Sequence, residues 1–264
     1  MAVDVSGGKM YWTGGIGGVS DIKRANLDGT GLETLVTTSN MLAHVAIDAQ
    51  GGKMYWADSV NTGYGGINGR ILRANLDGSI PESILTTGLL QPVGIALDVQ
   101  HGTMYFTDLE GPSNGTGGIW RANLNGSGAA KIINGIDEAN GLAIDVAGGK
   151  LYWTELVTKK IQCANLDGTG IKDLVTGLDI PTDIALDLSE GKMYWTEWSQ
   201  YPYSNCRIRS ANLDGSGMTT VVSDGGMPWG IAVAEVPEPS TFVLLAMGAI
   251  GLIGFAWRRR KPTA

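Results

Sequence analysis

Short apolar segments ending on an acidic residue recur along the chain, at Val45 to Asp48, Gly94 to Asp98, Gly141 to Asp145 and Asp183 to Asp187. Each leads through a turn, such as Gly51-Gly52, into an aromatic segment of the Met54-Tyr55-Trp56 kind, suited to a strand covered on both faces. A variable loop follows, then a segment typified by Ile71-Leu72-Arg73-Ala74-Asn75-Leu76. It closes on Asp77-Gly78-Ser79, where glycine can take positive φ. A brief last segment, Glu82 to Leu85, completes the unit. The pattern predicts four short strands per unit, and nothing in the repeat region has the 3.6-residue period of an amphipathic helix.

The aromatic segment recurs as Tyr11-Trp12-Thr13, Tyr55-Trp56-Ala57-Asp58, Tyr105-Phe106-Thr107-Asp108, Tyr152-Trp153-Thr154-Glu155 and Tyr194-Trp195-Thr196-Glu197, with 42 to 50 residues between anchors. An Ala-Asn-Leu-Asp/Asn-Gly motif falls between them, centred on Asn26, Asn75, Asn123, Asn165 and Asn212. Four strands in such a repeat match the blade of a β-propeller, and one blade is too thin to bury both its faces alone. The fold expected is therefore all-β, a ring of stacked blades. The Tyr-Trp aromatics would pack between blades, and the repeated Asp48, Asp98, Asp145 and Asp187 would satisfy backbone N–H groups in turns.

These motifs resemble the YWTD repeat of the low-density lipoprotein receptor class B type. The match is carried by Tyr55 to Asp58, by Tyr105 to Asp108, by the Ile-x-Arg-Ala-Asn-Leu-Asp-Gly segments and by Pro92 to Asp98. The resemblance implies a six-bladed propeller that handles ligands and protein contacts outside the cell without catalysis. The sequence departs from the motif at Gly14, Glu155 and Glu197 in place of its Asp, and at Asn125 in place of the turn Asp. Five units are complete, and Trp229 to Val233 then repeats only an opening strand. Ala2-Val3-Asp4-Val5 aligns with Ala143 to Val146, so the chain begins inside a motif. A six-bladed parent that has lost an N-terminal segment is the expectation, with a natural five-unit ring or an open arc as the competing account. The propeller domain is assigned to residues 1–236.

After it, Pro237-Glu238-Pro239 precedes an apolar run over 242–257 and a basic end at 258–261. This order predicts one C-terminal transmembrane helix with its basic end cytoplasmic and the propeller outside. Residues 237–264 resemble the bacterial PEP-CTERM sorting signal. That resemblance implies export, transient inner-membrane anchoring, processing by an exosortase-type enzyme and release to the cell surface or matrix. No N-terminal export signal is legible in MAVDVSGGKMYWTGG.

Composition sharpens the functional classes. Forty glycines with 7% aromatics fit many tight turns between short strands. Of 19 basic residues four stand at 258–261, leaving 15 against 26 acidic ones over residues 1–257, a balance that repels nucleic acid. Cys163 and Cys206 could form one disulfide, although two independent small-residue positions are favoured, and no C-x-x-C spacing suggests a metal or redox site. His44 and His101 are the two imidazoles; His44 stands where it could face the channel. No catalytic triad, metal site or cofactor is legible. The expectation is a non-catalytic surface or matrix module, with a carboxylate-based hydrolase or lyase acting on glycan or lactone as the alternative. The Asp-Gly-Ser/Thr turns look like pieces of calcium loops without the full ligand pattern, so turn formation explains them better. Binding is expected in the long loops, at Tyr64, Trp198, Tyr201 and Tyr203, toward a surface protein or exopolysaccharide.

Overall fold

The computed structural model describes residues 1–16, 18–61, 67–109, 117–136, 138–199, 206–223 and 229–234, all within the unit Met1–Ala234. Pro237, Glu238, Pro239, the apolar run 242–257 and the basic end lie outside the described residues, as do Tyr64, Tyr201 and Tyr203. Among the described residues, no helix is long and apolar enough to cross a membrane.

Five four-stranded antiparallel sheets form the blades, each with its strands in sequence order from the centre outward. The first comprises β1 (Ala2–Asp4), β2 (Lys9–Ile16), β3 (Val19–Asn26) and β4 (Glu33–Thr38). The second runs through β5 (Met41–Asp48), β6 (Lys53–Asn61), β7 (Ile67–Asn75) and β8 (Glu82–Leu85). The third holds β9 (Pro92–Asp98), β10 (Thr103–Asp108), β11 (Gly118–Asn123) and β12 (Ala130–Asn134). The fourth holds β13 (Ala139–Asp145), β14 (Lys150–Glu155), β15 (Lys160–Asn165) and β16 (Lys172–Val175). The fifth is β17 (Ile180–Asp187), β18 (Lys192–Trp198), β19 (Arg207–Asn212) and β20 (Thr219–Ser223).

The opening acidic residues and the Asn-Asp-Gly turns lock this geometry locally. Asp48 Oδ1 accepts from Gly51 N–H at 2.7 Å, and Asp4, Asp145 and Asp187 cap their turns in the same way. In the outer turn of the first blade, Asn26 Nδ2 donates to Thr30 Oγ1 at 2.8 Å, Thr30 N–H donates to Asp28 Oδ1 at 2.9 Å, and Gly29 takes φ 83°. Those bonds stabilise the ionised side chain, so the hydroxyl of Thr30 leads the causes that lower the Asp28 pKa; Ser79, Thr169 and Ser216 do the same for Asp77, Asp167 and Asp214. One carboxylate oxygen of each, Oδ1, is occupied by these local donors.

The core lies between blades. Trp153 packs with Tyr105, Ile119, Ile133 and Leu142, joining the third and fourth sheets, while Trp195 packs with Tyr152, Ile161 and Ile184, joining the fourth and fifth. Phe106, Trp56, Tyr11 and Tyr55 are likewise buried, Tyr194 is half-buried, and Trp12 faces a cavity at the centre of the ring. Cys163 and Cys206 are both buried thiols that form no disulfide, and burial raises the Cys163 pKa.

Residues 229–234 do not form the expected closing strand. Instead of joining a ladder, Ile231 N–H donates to Asp183 Oδ2 at 2.8 Å, and Gly230 lies close to Met1. No second strand stands beside this segment among the described residues, so its backbone polar groups turn to a side chain.

Candidate functional site

The third and fourth letters of the aromatic motif position the face on which the inner strands begin. The threonine hydroxyl bridges blades: Gly141 N–H donates to Thr154 Oγ1 at 3.0 Å, and Thr154 Oγ1 donates to the Thr182 carbonyl of the next blade at 2.8 Å. Thr107 repeats this between Gly94 N–H and the Asn140 carbonyl. The acidic letter fastens the start of its own inner strand: Asp108 accepts from Leu90 and Gln91 N–H, and Asp58 accepts from Asn40 Nδ2 at 3.0 Å and Arg70 at 2.9 Å. Glu197, fully buried, accepts from Asp179 N–H and Trp195 Nε1 and pairs with Arg207 at 2.9 Å and Arg209 at 3.4 Å. Glu155 accepts from Trp153 Nε1 at 3.1 Å and from the Thr158 hydroxyl. The longer glutamate thus reaches the indole donor. In the second blade the shorter Asp58 leaves Trp56 Nε1 without a partner.

Around the axis, one register position of the inner strands reads His44, Gly94, Gly141 and Asp183, and Gly230 follows in the same place of the unpaired segment. A Cβ on Gly141 would stand 2.7 Å from Asp183 Cα, so the approach of neighbouring inner strands requires glycine there. The two exceptions meet each other. His44 Nδ1 lies 3.6 Å from Asp183 Oδ1, an oxygen that also accepts from Ile184 N–H at 2.9 Å. Burial lowers the His44 pKa; Asp183 opposes that shift, and the positive charge of the Met1 amino group adds to it. The imidazole is therefore neutral at pH 7.

Above this pair opens a cavity of about 590 Å³ lined by Trp12, Met41, Leu42, His44, Val93 and Trp229, among others. A second cavity of about 590 Å³ lies over the first blade, along Gly14, Gly15, Ser20, Ser39 and Asn40. The two share Thr13, Met41, Leu42 and Trp229 as a common wall. Among the described residues, no Asp, Glu, Lys or Arg side chain lines either. Gly14 opens the second cavity by omitting the motif carboxylate. The acid moves across the ladder instead, to Asp21, which pairs with Gly14 and binds Lys23 at 3.1 Å.

Of the four aromatics expected to bind, Trp198 stands at the rim of this mouth, edge-to-face with Trp229 at 4.0 Å between ring centroids. Tyr64, Tyr201 and Tyr203 lie outside the described residues. Trp229, 66% exposed, was legible only as part of a repeated strand. Its signal is the bulk it brings to a position held elsewhere by Ala43, Val93, Asn140 and Thr182.

Comparison with known proteins agrees with this architecture. The low-density lipoprotein receptor repeat class B matches residues 149–188 and 191–233, and the PEP-CTERM protein-sorting motif matches residues 235–261. Low-density lipoprotein receptor-related protein 1 of Pyricularia oryzae is 29% identical over 174 residues, covering 56% of this chain and 55% of that protein. The human low-density lipoprotein receptor-related protein 5-like protein is 31% identical over 157 residues, covering 59% and 57%. The chain thus spans little more than half the length of these relatives. Among solved structures, a chain of a nidogen/laminin complex superposes with a TM-score of 0.70 at 21% identity, over 86% of this chain and 82% of that one. A putative TolB from Agrobacterium tumefaciens gives 0.65 at 15%, over 82% and 79%. At these identities the likeness is one of fold.

Proposed function

We propose that this propeller, built from class B repeats and followed by a PEP-CTERM motif, is an exported, non-catalytic binding module displayed at the cell surface or in the extracellular matrix. The observation that carries the reading is the mouth of the propeller: two joined cavities, aromatic at the wall and, among the described residues, without an Asp, Glu, Lys or Arg side chain in the lining. Pockets of this size with few convergent polar groups suit ligand capture. Acid–base chemistry needs a titratable group held against a reacting atom. Here both oxygens of Asp183 accept from backbone amides, and at 3.6 Å from His44 Nδ1 the carboxylate makes no hydrogen bond that would orient the imidazole. The nidogen/laminin complex supports the reading to the extent that a similar ring takes part in an extracellular protein assembly.

The tail would act before binding does. Its apolar run over 242–257 would anchor the exported chain in the inner membrane with the basic end at 258–261 cytoplasmic, until an exosortase-type enzyme acts near Pro237-Glu238-Pro239. The test is fractionation of the native host expressing the full chain, with and without alanine at those three positions. A released species shorter than the membrane-held precursor is expected, and the triple substitution should trap the precursor. Equal release from both chains would overturn the sorting role.

A further inference from the structure

We infer that the two joined cavities form one elongated site for an uncharged glycan chain, an inference that rests on the reading of this mouth as the binding surface. Continuity comes first. Thr13, Met41, Leu42 and Trp229 border both cavities, so a ligand can run from the glycine-floored trough over the first blade to the centre of the ring. The second observation is the lining chemistry. Seventeen percent of the chain is charged, yet among the described residues no Asp, Glu, Lys or Arg side chain lines either cavity. An anionic polymer finds no Lys or Arg side chain among the described lining residues and meets a domain that is acidic overall. A basic peptide finds little from Asp183 beneath the mouth, which is already taken up by Ile184 and Ile231 N–H and is 5% exposed.

What remains is a mixture of flat apolar surface and neutral hydrogen-bonding groups. Trp229 is 66% exposed and is braced edge-to-face by Trp198, which fixes its ring as a platform. A pyranose has one face of C–H groups for such a ring and equatorial hydroxyls around its edge. Ser20, Ser39 and Asn40 in the trough, and Gln91 and Asn140 at the centre, offer amide and hydroxyl partners for them. Gly14 and Gly15 border the trough with backbone alone, while the side of Gly15 that a Cβ would take faces the Val19 carbonyl oxygen.

The experiment is a titration of the full-length chain, held in a detergent that contains no sugar, with cellohexaose, laminarihexaose, maltohexaose and hexagalacturonate. Tryptophan emission and calorimetry are the readouts. At least one neutral hexaose should bind and hexagalacturonate should not. Trp229→Ala, at an exposed ring, should weaken binding roughly tenfold, about 1.4 kcal/mol, without moving the urea midpoint. Ser20→Arg should weaken it to a similar degree by placing a long charged side chain in the trough. The inference is overturned by failure of every neutral hexaose, by equal binding of hexagalacturonate, or by full affinity in either variant. A photo-cross-linking residue in place of Trp229, used in the native host, separates the two levels. A polypeptide adduct with no glycan adduct sinks the glycan assignment and keeps the mouth as the binding surface. No adduct of either kind removes both.

Discussion

Two residues depart from the repeat in ways that have opposite energetic signs. Glu155 is longer than the aspartate of the motif, and the extra methylene lets its carboxylate accept from Trp153 Nε1 inside a core where Trp153 is fully buried. Glu155→Asp, although it moves the sequence toward the repeat consensus, should destabilise the fold by about 1–2 kcal/mol because a buried N–H loses its acceptor. A lower urea midpoint at unchanged slope is the expected result; an unchanged midpoint would show that the indole finds another partner. Ile80 takes φ 53° in the outer turn where Gly31, Gly128, Gly170 and Gly217 take φ of 64° to 69°. A β-branched side chain is strained in that region, and this one is 72% exposed, so little burial offsets the strain. Ile80→Gly should therefore raise stability by about 1 kcal/mol, net of the entropy that glycine loses on folding. Thermal unfolding of the pair of variants reads both signs in one series.

At the scale of the element, the blades are joined by polar bridges as well as by stacked aromatics. Thr154 Oγ1 takes Gly141 N–H and gives its own proton to the Thr182 carbonyl, at 0% exposure. Thr154→Val keeps the shape and removes both bonds, at an expected cost of about 2–3 kcal/mol, whereas Thr154→Ser keeps the hydroxyl and should cost less. Urea denaturation of the three chains checks the order; equal midpoints for Val and wild type would assign the joint to apolar packing alone. The existence of the strands, their order and the blade repeat were legible because the Tyr-Trp anchors, the Ala-Asn-Leu-Asp-Gly turns and the apolar segments each recur in phase with one sheet. What the repeat could not display is the departure from it. The segment 229–234 has the spelling of an inner strand, yet no ladder forms, because strand identity depends on a partner as well as on local sequence. His44 and Asp183 are 139 positions apart, and only the arrangement of the second and fifth blades around a common axis brings them within 3.6 Å. Gly14 likewise reads as a missing letter in the motif, whereas in the sheet it opens a trough and transfers the acid to Asp21.

The His44–Asp183 contact gains its consequence at this scale, since it links the second and fifth blades, which are distant in sequence. The groups facing His44 are Asp183 and the amino group of Met1, and burial is the largest influence on the imidazole. Its folded pKa lies below the ordinary value near 6.5, so the unfolded chain binds this proton more readily than the native one. Stability from this site is therefore fully present above the unfolded pKa and is lost as pH falls from there through the folded pKa. The exposed turn aspartates Asp28, Asp77, Asp167 and Asp214 have pKa values lowered from 3.8; their contribution is complete above that value and fades below it, in a more acidic window. Urea midpoints measured from pH 7.5 down to pH 5 should thus fall for the native chain and stay nearly level for His44→Gln, whose amide does not titrate. Parallel decline of both chains would place the sensitivity elsewhere and leave the His44 contact a packing feature. A fall confined to the native chain would place the sensitivity at the contact between the second and fifth blades, beneath the cavity that His44 lines.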